Sequence, residues 1–252
     1  MSDMAGAAIV IFGDLEAEIW GVVVGGDEPR AAAAGLTDAD VTLQPADLDL
    51  DDDEVWTVTG PGLALRIERA DVAAATAAGD GTLDGRGALE PCRVSGSATL
   101  SGTEREFDVG GVRSGPLSAG PLSTGPGRKA GGSLRLLGTW FPAGHEIAVL
   151  SARPKGAKGQ DRDAIGVTAR GEEHPLVLDP RLSTTYDQHG EPRRVGVELW
   201  LGDDEDGDQW PRRVAGAATG SHAAMNGLSA YALRCVSRSE PGAGVYLLLR
   251  DC

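Results

Sequence analysis

The stretch DPRLSTTYDQHGEPRRVGVELWLGDDEDGDQWPRR, residues 179 to 213, decides how the chain is read. A period of two runs through both of its apolar segments. Leu182, Thr184 and Tyr186 share one face, and Val195, Val197, Leu199 and Leu201 share another, with Glu198 and Trp200 on the opposite side. Between the two segments, Asp187 to Gly190 is good turn chemistry, because an Asp can accept hydrogen bonds from the following amides and a Gly tolerates positive φ. Two antiparallel strands and a reversal account for the stretch.

Working outward, the same pattern repeats. AAIVIF and EAEIWGVVV flank GDL. EVWTVTG and GLALRIERA flank Pro61-Gly62. EPCRVSGSATLSGTEREFDVGG turns near Ser101-Gly102, and SLRLLGTWF and HEIAVLSARP are joined by PAG. The second half continues with DAIGVTARG, LSAYALRCVSR and GVYLLLRD, short apolar runs at even spacing that read as an antiparallel barrel or sandwich. Nothing supplies the crossover helices that a parallel sheet needs. The best helix candidate is ADVAAATAAGDG from Ala70, with Asp71 as its cap and Gly79 as its stop. Residues 114 to 132, SGPLSAGPLSTGPGRKAGG, carry a five-residue G-P-L-S-x unit and no apolar periodicity, which marks a linker or loop.

Composition narrows the function classes. A formal charge of −15 repels phosphate backbones and anionic bilayers, so nucleic acid and membrane surfaces are poor partners. Aromatics are 4% of the chain, and Ala, Gly and Val supply much of the apolar content, so a barrel here is packed with small side chains and can keep a cavity. Cys92, Cys235 and Cys252 are odd in number without C-x-x-C spacing, against both a disulfide framework and a zinc site. The first apolar run ends at Gly13-Asp14 with no basic segment before it, which implies a cytoplasmic protein without membrane insertion.

No G-x-S-x-G, Walker A, H-E-x-x-H or dinucleotide fingerprint is present, and no cofactor or metal is expected. The acidic loop Asp203 to Asp208 has the carboxylates but not the distal Glu of a calcium loop. His145, His174, His189 and His222 all fall in expected turns. Glu198 admits two readings. Against Trp200 in a cavity it would have the raised pKa of a general acid; on a wet face it would pair with Arg193, Arg212 or Arg213.

The order of LLGTWFPAGHEIAVLSARPKGAKGQD, RLSTTYDQHGEPRRVGVELW and WPRRVAGAATG, preceded by CRVSGSATLSGTEREFDVGGVRSG, resembles the bacterial tandem-lipocalin proteins related to carotenoid hydratase (hydroxyneurosporene synthase), over roughly residues 90 to 252. The resemblance implies an all-β fold of two lipocalin-like antiparallel β-barrel or half-barrel domains packed together, with at most one or two short helices. It also implies an apolar cavity, and either ligand binding or acid-base hydration, isomerisation or cyclisation of isoprenoids or polyketides. Relatives tend to carry His and Trp soon after the Gly-x-Arg of GGVRSG, where this chain has Ser114, Gly115 and Pro116. That departure favours binding, or a site rebuilt from Glu198, Tyr186 and Asp187.

The expectation is therefore an N-terminal β domain at 1–113, a linker at 114–132 and a C-terminal β domain at 133–252. The expected function is binding of a small hydrophobic ligand. Trp140, Tyr186, Trp200 and Arg212 are the expected binding residues, with Glu198 and Asp187 as carboxylates if the protein is a hydratase, isomerase or cyclase.

Overall fold

Eighteen strands appear in the computed structural model, which describes residues 7–39, 41–50, 54–70, 75–77, 89–117, 132–154, 164–170, 177–201, 211–225 and 227–250. In the first half they are β1 (Ala7–Asp14), β2 (Ile19–Val24), β3 (Arg30–Gly35), β4 (Gln44–Pro45), β5 (Asp47–Asp49), β6 (Val55–Gly60), β7 (Leu63–Arg69), β8 (Ala75–Ala77), β9 (Leu89–Leu100) and β10 (Thr103–Leu117). The second half adds β11 (Gly132–Trp140), β12 (Glu146–Pro154), β13 (Ala164–Arg170), β14 (Val177–Tyr186), β15 (Pro192–Leu201), β16 (Arg212–Met225), β17 (Leu228–Ser237) and β18 (Glu240–Arg250). The described residues contain no helix.

The strands form two nine-stranded antiparallel sheets. The first has the order β4-β3-β2-β1-β10-β9-β7-β6-β5. Its two edges are one piece of chain: β4 pairs with β3, β5 pairs with β6, and Ala46 alone separates them. The amide of Ala46 donates to the Pro29 carbonyl at 3.0 Å, while Pro45 has no amide to lose at the handover. The sheet thus closes into an up-and-down barrel, which removes open edges. We call it barrel 1. Barrel 2 has the order β14-β15-β16-β17-β18-β11-β12-β13-β8, and β8 also approaches β14.

The turns follow the sequence chemistry. Ser101 and Gly102 both have positive φ, 49° and 81°, the left-handed pair that a two-residue hairpin between β9 and β10 requires. Gly190 closes the 187–190 turn at φ 82°, while the Asp187 carboxylate accepts from the amides of His189 (2.8 Å) and Glu191 (3.0 Å). Those two backbone hydrogen bonds hold the Asp187 carboxyl below its usual range.

Two expectations fail. The helix proposed from Ala70 is replaced, in its described part, by strand β8, whose Ala75 to Ala77 pair with Ala169 to Val167 of β13. A short Ala run has no apolar stripe to bury and pays the nucleation cost of a helix, whereas a strand edge offers it backbone partners at once. His222 lies within β16 rather than in a turn, stacked 5.9 Å from Tyr231. His174 and the acidic loop at 203–208 lie outside the described residues, as do residues 118–131 of the expected linker.

Three hydrophobic cores explain the packing. Barrel 1 is filled by side chains such as Val10, Phe12, Val58, Ile67 and Val94, and barrel 2 by Leu137, Val149, Leu182, Val197 and Tyr246. The third core lies between the barrels, where Ile9, Ile11 and Val22 meet Leu136, Val245 and Leu247. Strands β1 and β18 are buried on both faces, and their sequences are accordingly near-continuous apolar runs. By contrast, β6 and β7 alternate, with Trp56, Val58, Leu65 and Ile67 buried and Thr57, Thr59 and Arg66 exposed. A polar latch crosses the third core: Trp20 Nε1 donates to Ser221 Oγ at 2.8 Å, and that hydroxyl reaches the Gly35 carbonyl at 3.3 Å.

Candidate functional site

Two cavities stand out among the described residues. The first, about 600 Å³, opens at the end of barrel 1 where the β6–β7 hairpin turns. Ala31 and Ala33 of β3, Ala46, Leu63 and Ala98 line it, and all five belong to the barrel 1 core or pack against it. Thr42, Gln44 and Thr99 provide its hydroxyl and amide groups, and no ionisable side chain lines it. The cavity exists because these strands present alanines and glycines where a filled barrel would carry leucines or aromatics.

The second cavity, about 690 Å³, is a charged cleft on the outside of barrel 1 beside barrel 2. Arg69, Arg93, Asp14, Glu68, Asp108 and Glu146 are among its lining residues. Arg93 Nε donates to Asp108 at 2.6 Å, which lowers the Asp108 pKa. Arg113, the arginine of GGVRSG, is buried nearby. It donates to Glu90 Oε2 at 2.9 Å and lies 4.6 Å over the Trp56 ring. Cys92 lies at the floor, and burial pushes its thiol pKa far up, so it is no nucleophile in this setting.

Trp140 of β11 lies against Gly110 and Glu146 of this cleft but lines neither cavity. Its ring fits into a slot between Gly13, Gly110 and Gly138, where a Cβ on Gly110 would stand 2.5 Å from Trp140 Cδ1 and 2.6 Å from Glu146 Oε1. Register pairs Trp140 directly with Glu146 across β11 and β12. The indole Nε1 is buried and has no hydrogen-bond partner among the described residues. A carboxylate against an indole, sought in the sequence at Glu198 and Trp200, thus also occurs at Glu146 and Trp140. Strand pairing was the only signal that could have found it, because the two residues sit six apart across a turn.

The structure disperses the other expected residues. Glu198 lies on the outer face of barrel 2, opposite Arg213 in register, and accepts from Arg213 Nε at 3.0 Å. Trp200 shares that outer face, with the Arg181 guanidinium 5.6 Å from its ring centre. Tyr186 and Asp187 are at one end of barrel 2. Arg212 is at the other end, paired with Leu199 and close enough to His145 to disfavour its charged form. Neither Tyr186, Asp187, Glu198, Trp200 nor Arg212 lines either cavity. The described residues contain no cluster of His, Cys, Asp or Glu that could hold a metal ion, and no helix long and apolar enough to cross a membrane.

No protein-family model matches the chain, and no curated protein matches it by sequence. Among solved structures, it is similar to that of a protein from Nitrosomonas europaea provisionally named AttH, with a TM-score of 0.52 and 10% identity over 98% of this chain and 92% of that one. The likeness is one of fold. It spans both barrels, so the pairing of two barrels in one chain is shared as well as the strand arrangement within each.

Proposed function

We propose that this protein binds a small, neutral, apolar molecule of isoprenoid, fatty-acyl or polyketide type in the open end of barrel 1. The observation that carries this reading is the lining of the 600 Å³ cavity by Ala31, Ala33, Ala46, Leu63 and Ala98 with no charged group. An uncharged cavity lined by small apolar residues together with hydroxyl, amide and backbone polar groups suits a neutral, largely hydrocarbon ligand with a polar end, and burying a charged ligand there would cost several kcal/mol or more without a counter-ion. The resemblance of the second half to carotenoid hydratase relatives is consistent with that class. The test is a titration with Nile red, a neutral apolar fluorophore. Saturable fluorescence enhancement is expected for the native chain, with a loss of about tenfold or more in affinity for Ala33→Phe, which fills the cavity from its rim. An unchanged titration in Ala33→Phe would overturn the assignment.

A second reading, a cofactor-independent hydratase, isomerase or cyclase, is favoured by one observation: Glu146 beside the buried Trp140 indole in a cleft large enough for a substrate. In that reading a carboxylate donates and accepts the proton at an alkene. Comparing turnover in Glu146→Gln, Glu198→Gln and Asp187→Asn separates the three carboxylates. Loss in Glu146→Gln alone would place the chemistry in the cleft.

A further inference from the structure

Strand pairing in barrel 1 leaves one residue of β3 facing the cavity instead of a neighbouring strand. Hydrogen bonds at the ends of β3 set which residues bond to which side. The Leu36 amide donates to the Glu18 carbonyl at 3.1 Å, in the register that pairs Trp20 with Ala34 and Val22 with Ala32, so the even residues of β3 bond to β2. The Ala46 amide donates to the Pro29 carbonyl in the register that pairs Ala31 with Gln44, so the odd residues face the β4 side. Gly35 agrees: its amide donates to Asp38 Oδ2 at 2.8 Å and its carbonyl accepts from Trp20 Nε1 at 3.2 Å. The pairing with β4 stops at Ala31, because the chain on the other side of Gln44 is drawn off to barrel 2. There the Val41 amide donates to the His222 carbonyl at 3.0 Å, and Leu43 is buried in the core between the barrels. Ala33, the next odd residue, thus presents its N–H and C=O where a further β4 residue would stand, and it lines the cavity of about 600 Å³. No partner for either group on that side occurs among the described residues.

The geometry of the missing partner is specific. In an antiparallel ladder a residue exchanges two hydrogen bonds with the one residue opposite, its N–H meeting that residue's C=O and its C=O that residue's N–H. A lone trans amide points its N–H and C=O in opposite directions and can make one of the two bonds. Both are made by a unit that carries an amide N–H and a carbonyl on either side of a single carbon, as an acylated amino acid does. The walls beside Ala33 set the rest of the ligand. Ala31, Ala46, Leu63 and Ala98 offer an acyl chain an apolar surface, and the absence of an ionisable side chain from the lining leaves a free carboxylate there without a counter-ion.

We propose that the ligand of the barrel 1 cavity is a neutral N-acyl amino-acid ester or amide, docked as a one-residue strand beside Ala33. The Ala33 N–H donates to the ligand's ester or amide carbonyl, and the ligand's acylamide N–H donates to the Ala33 carbonyl. This rests on the assignment of that cavity as the binding site. The full chain is titrated calorimetrically with N-hexanoylglycine methyl ester, with its N-methyl analogue and with methyl hexanoyloxyacetate, in which an ester oxygen replaces the N–H. Saturable binding of the glycine ester is expected, about fivefold tighter than either analogue, since each lacks only the donor to Ala33. Ala33→Pro removes the Ala33 N–H without taking a bond from the β2 ladder, and is expected to weaken the glycine ester about fivefold. Where its circular dichroism spectrum departs from the native one, the three ligands on the native chain decide. The proposal is overturned if the glycine ester does not saturate, if the analogues bind as tightly, or if a natively folded Ala33→Pro keeps the native affinity. Equal binding of all three ligands, lost in Ala33→Phe, would remove the strand-like docking and keep the apolar cavity; no saturation by these ligands or by Nile red would remove both.

Discussion

At the scale of single residues, chemistry and geometry diverge at Glu198. The apolar alternation of RRVGVELWL places its face correctly, and the structure shows Val195, Val197 and Leu199 buried with Glu198 opposite. Whether that opposite face meets a cavity or solvent depends on where the neighbouring barrel packs, which no local pattern encodes. Barrel 1 packs on β11 and β18, not on β15, so Glu198 faces Arg213 at the surface. An exposed cross-strand pair contributes little, and Glu198→Gln is expected to change stability by less than about 1 kcal/mol. Gly110 is the opposite case. Its missing side chain makes room for Trp140 and Glu146, and Gly110→Ala is expected to cost about 1–3 kcal/mol through overpacking. Urea midpoints of the two variants, measured together, test both values; a Gly110→Ala midpoint equal to the native one would show that the slot can relax.

At the scale of elements, the hairpins were legible and their partners were not. The turn residues 61–62, 101–102, 141–145 and 187–190 all reverse the chain as their chemistry requires. The β11–β12 turn carries a pH-dependent contact. His145 stacks on Phe141 at 4.3 Å and lies 3.5 Å from Glu240, whose other oxygen accepts from the Ala143 amide at 2.8 Å. Burial is the larger influence on the imidazole and, with Arg212 and Arg238, outweighs Glu240, so the His145 pKa is lowered from its ordinary value of 6.5. The folded state then binds fewer protons than the unfolded one just below that value. The contribution of His145 is therefore present above about pH 6.5 and is lost as pH falls through the window between there and the lowered value. His145→Gln is expected to flatten the decline of the urea midpoint between about pH 7 and pH 5 relative to the native chain. A decline of equal slope in both would assign it to other groups.

At the scale of the whole molecule, the core between the barrels makes the two halves one cooperative body. Leu136 is fully buried there, and Leu136→Ala is expected to cost about 2–5 kcal/mol. The three tyrosines, Tyr186, Tyr231 and Tyr246, all lie on barrel 2 strands, whereas the tryptophans are spread over both barrels, so near-ultraviolet tyrosine dichroism reports on barrel 2 and tryptophan fluorescence on both halves. Both signals should move to the same lower midpoint in Leu136→Ala; separate midpoints would show barrels that unfold independently. The sequence by itself determined the all-β class, most strand positions and the turns, because hydrophobic period and turn chemistry act over a few residues. Only the tertiary structure decided that Gln44 to Asp49 closes barrel 1, that Ala75 to Ala77 extend barrel 2, and that Trp140 meets Glu146 while Glu198 and Trp200 face outward. Those outcomes rest on contacts between residues far apart in the chain, and side-chain alternation fixes which two faces a strand has without saying what each face will touch.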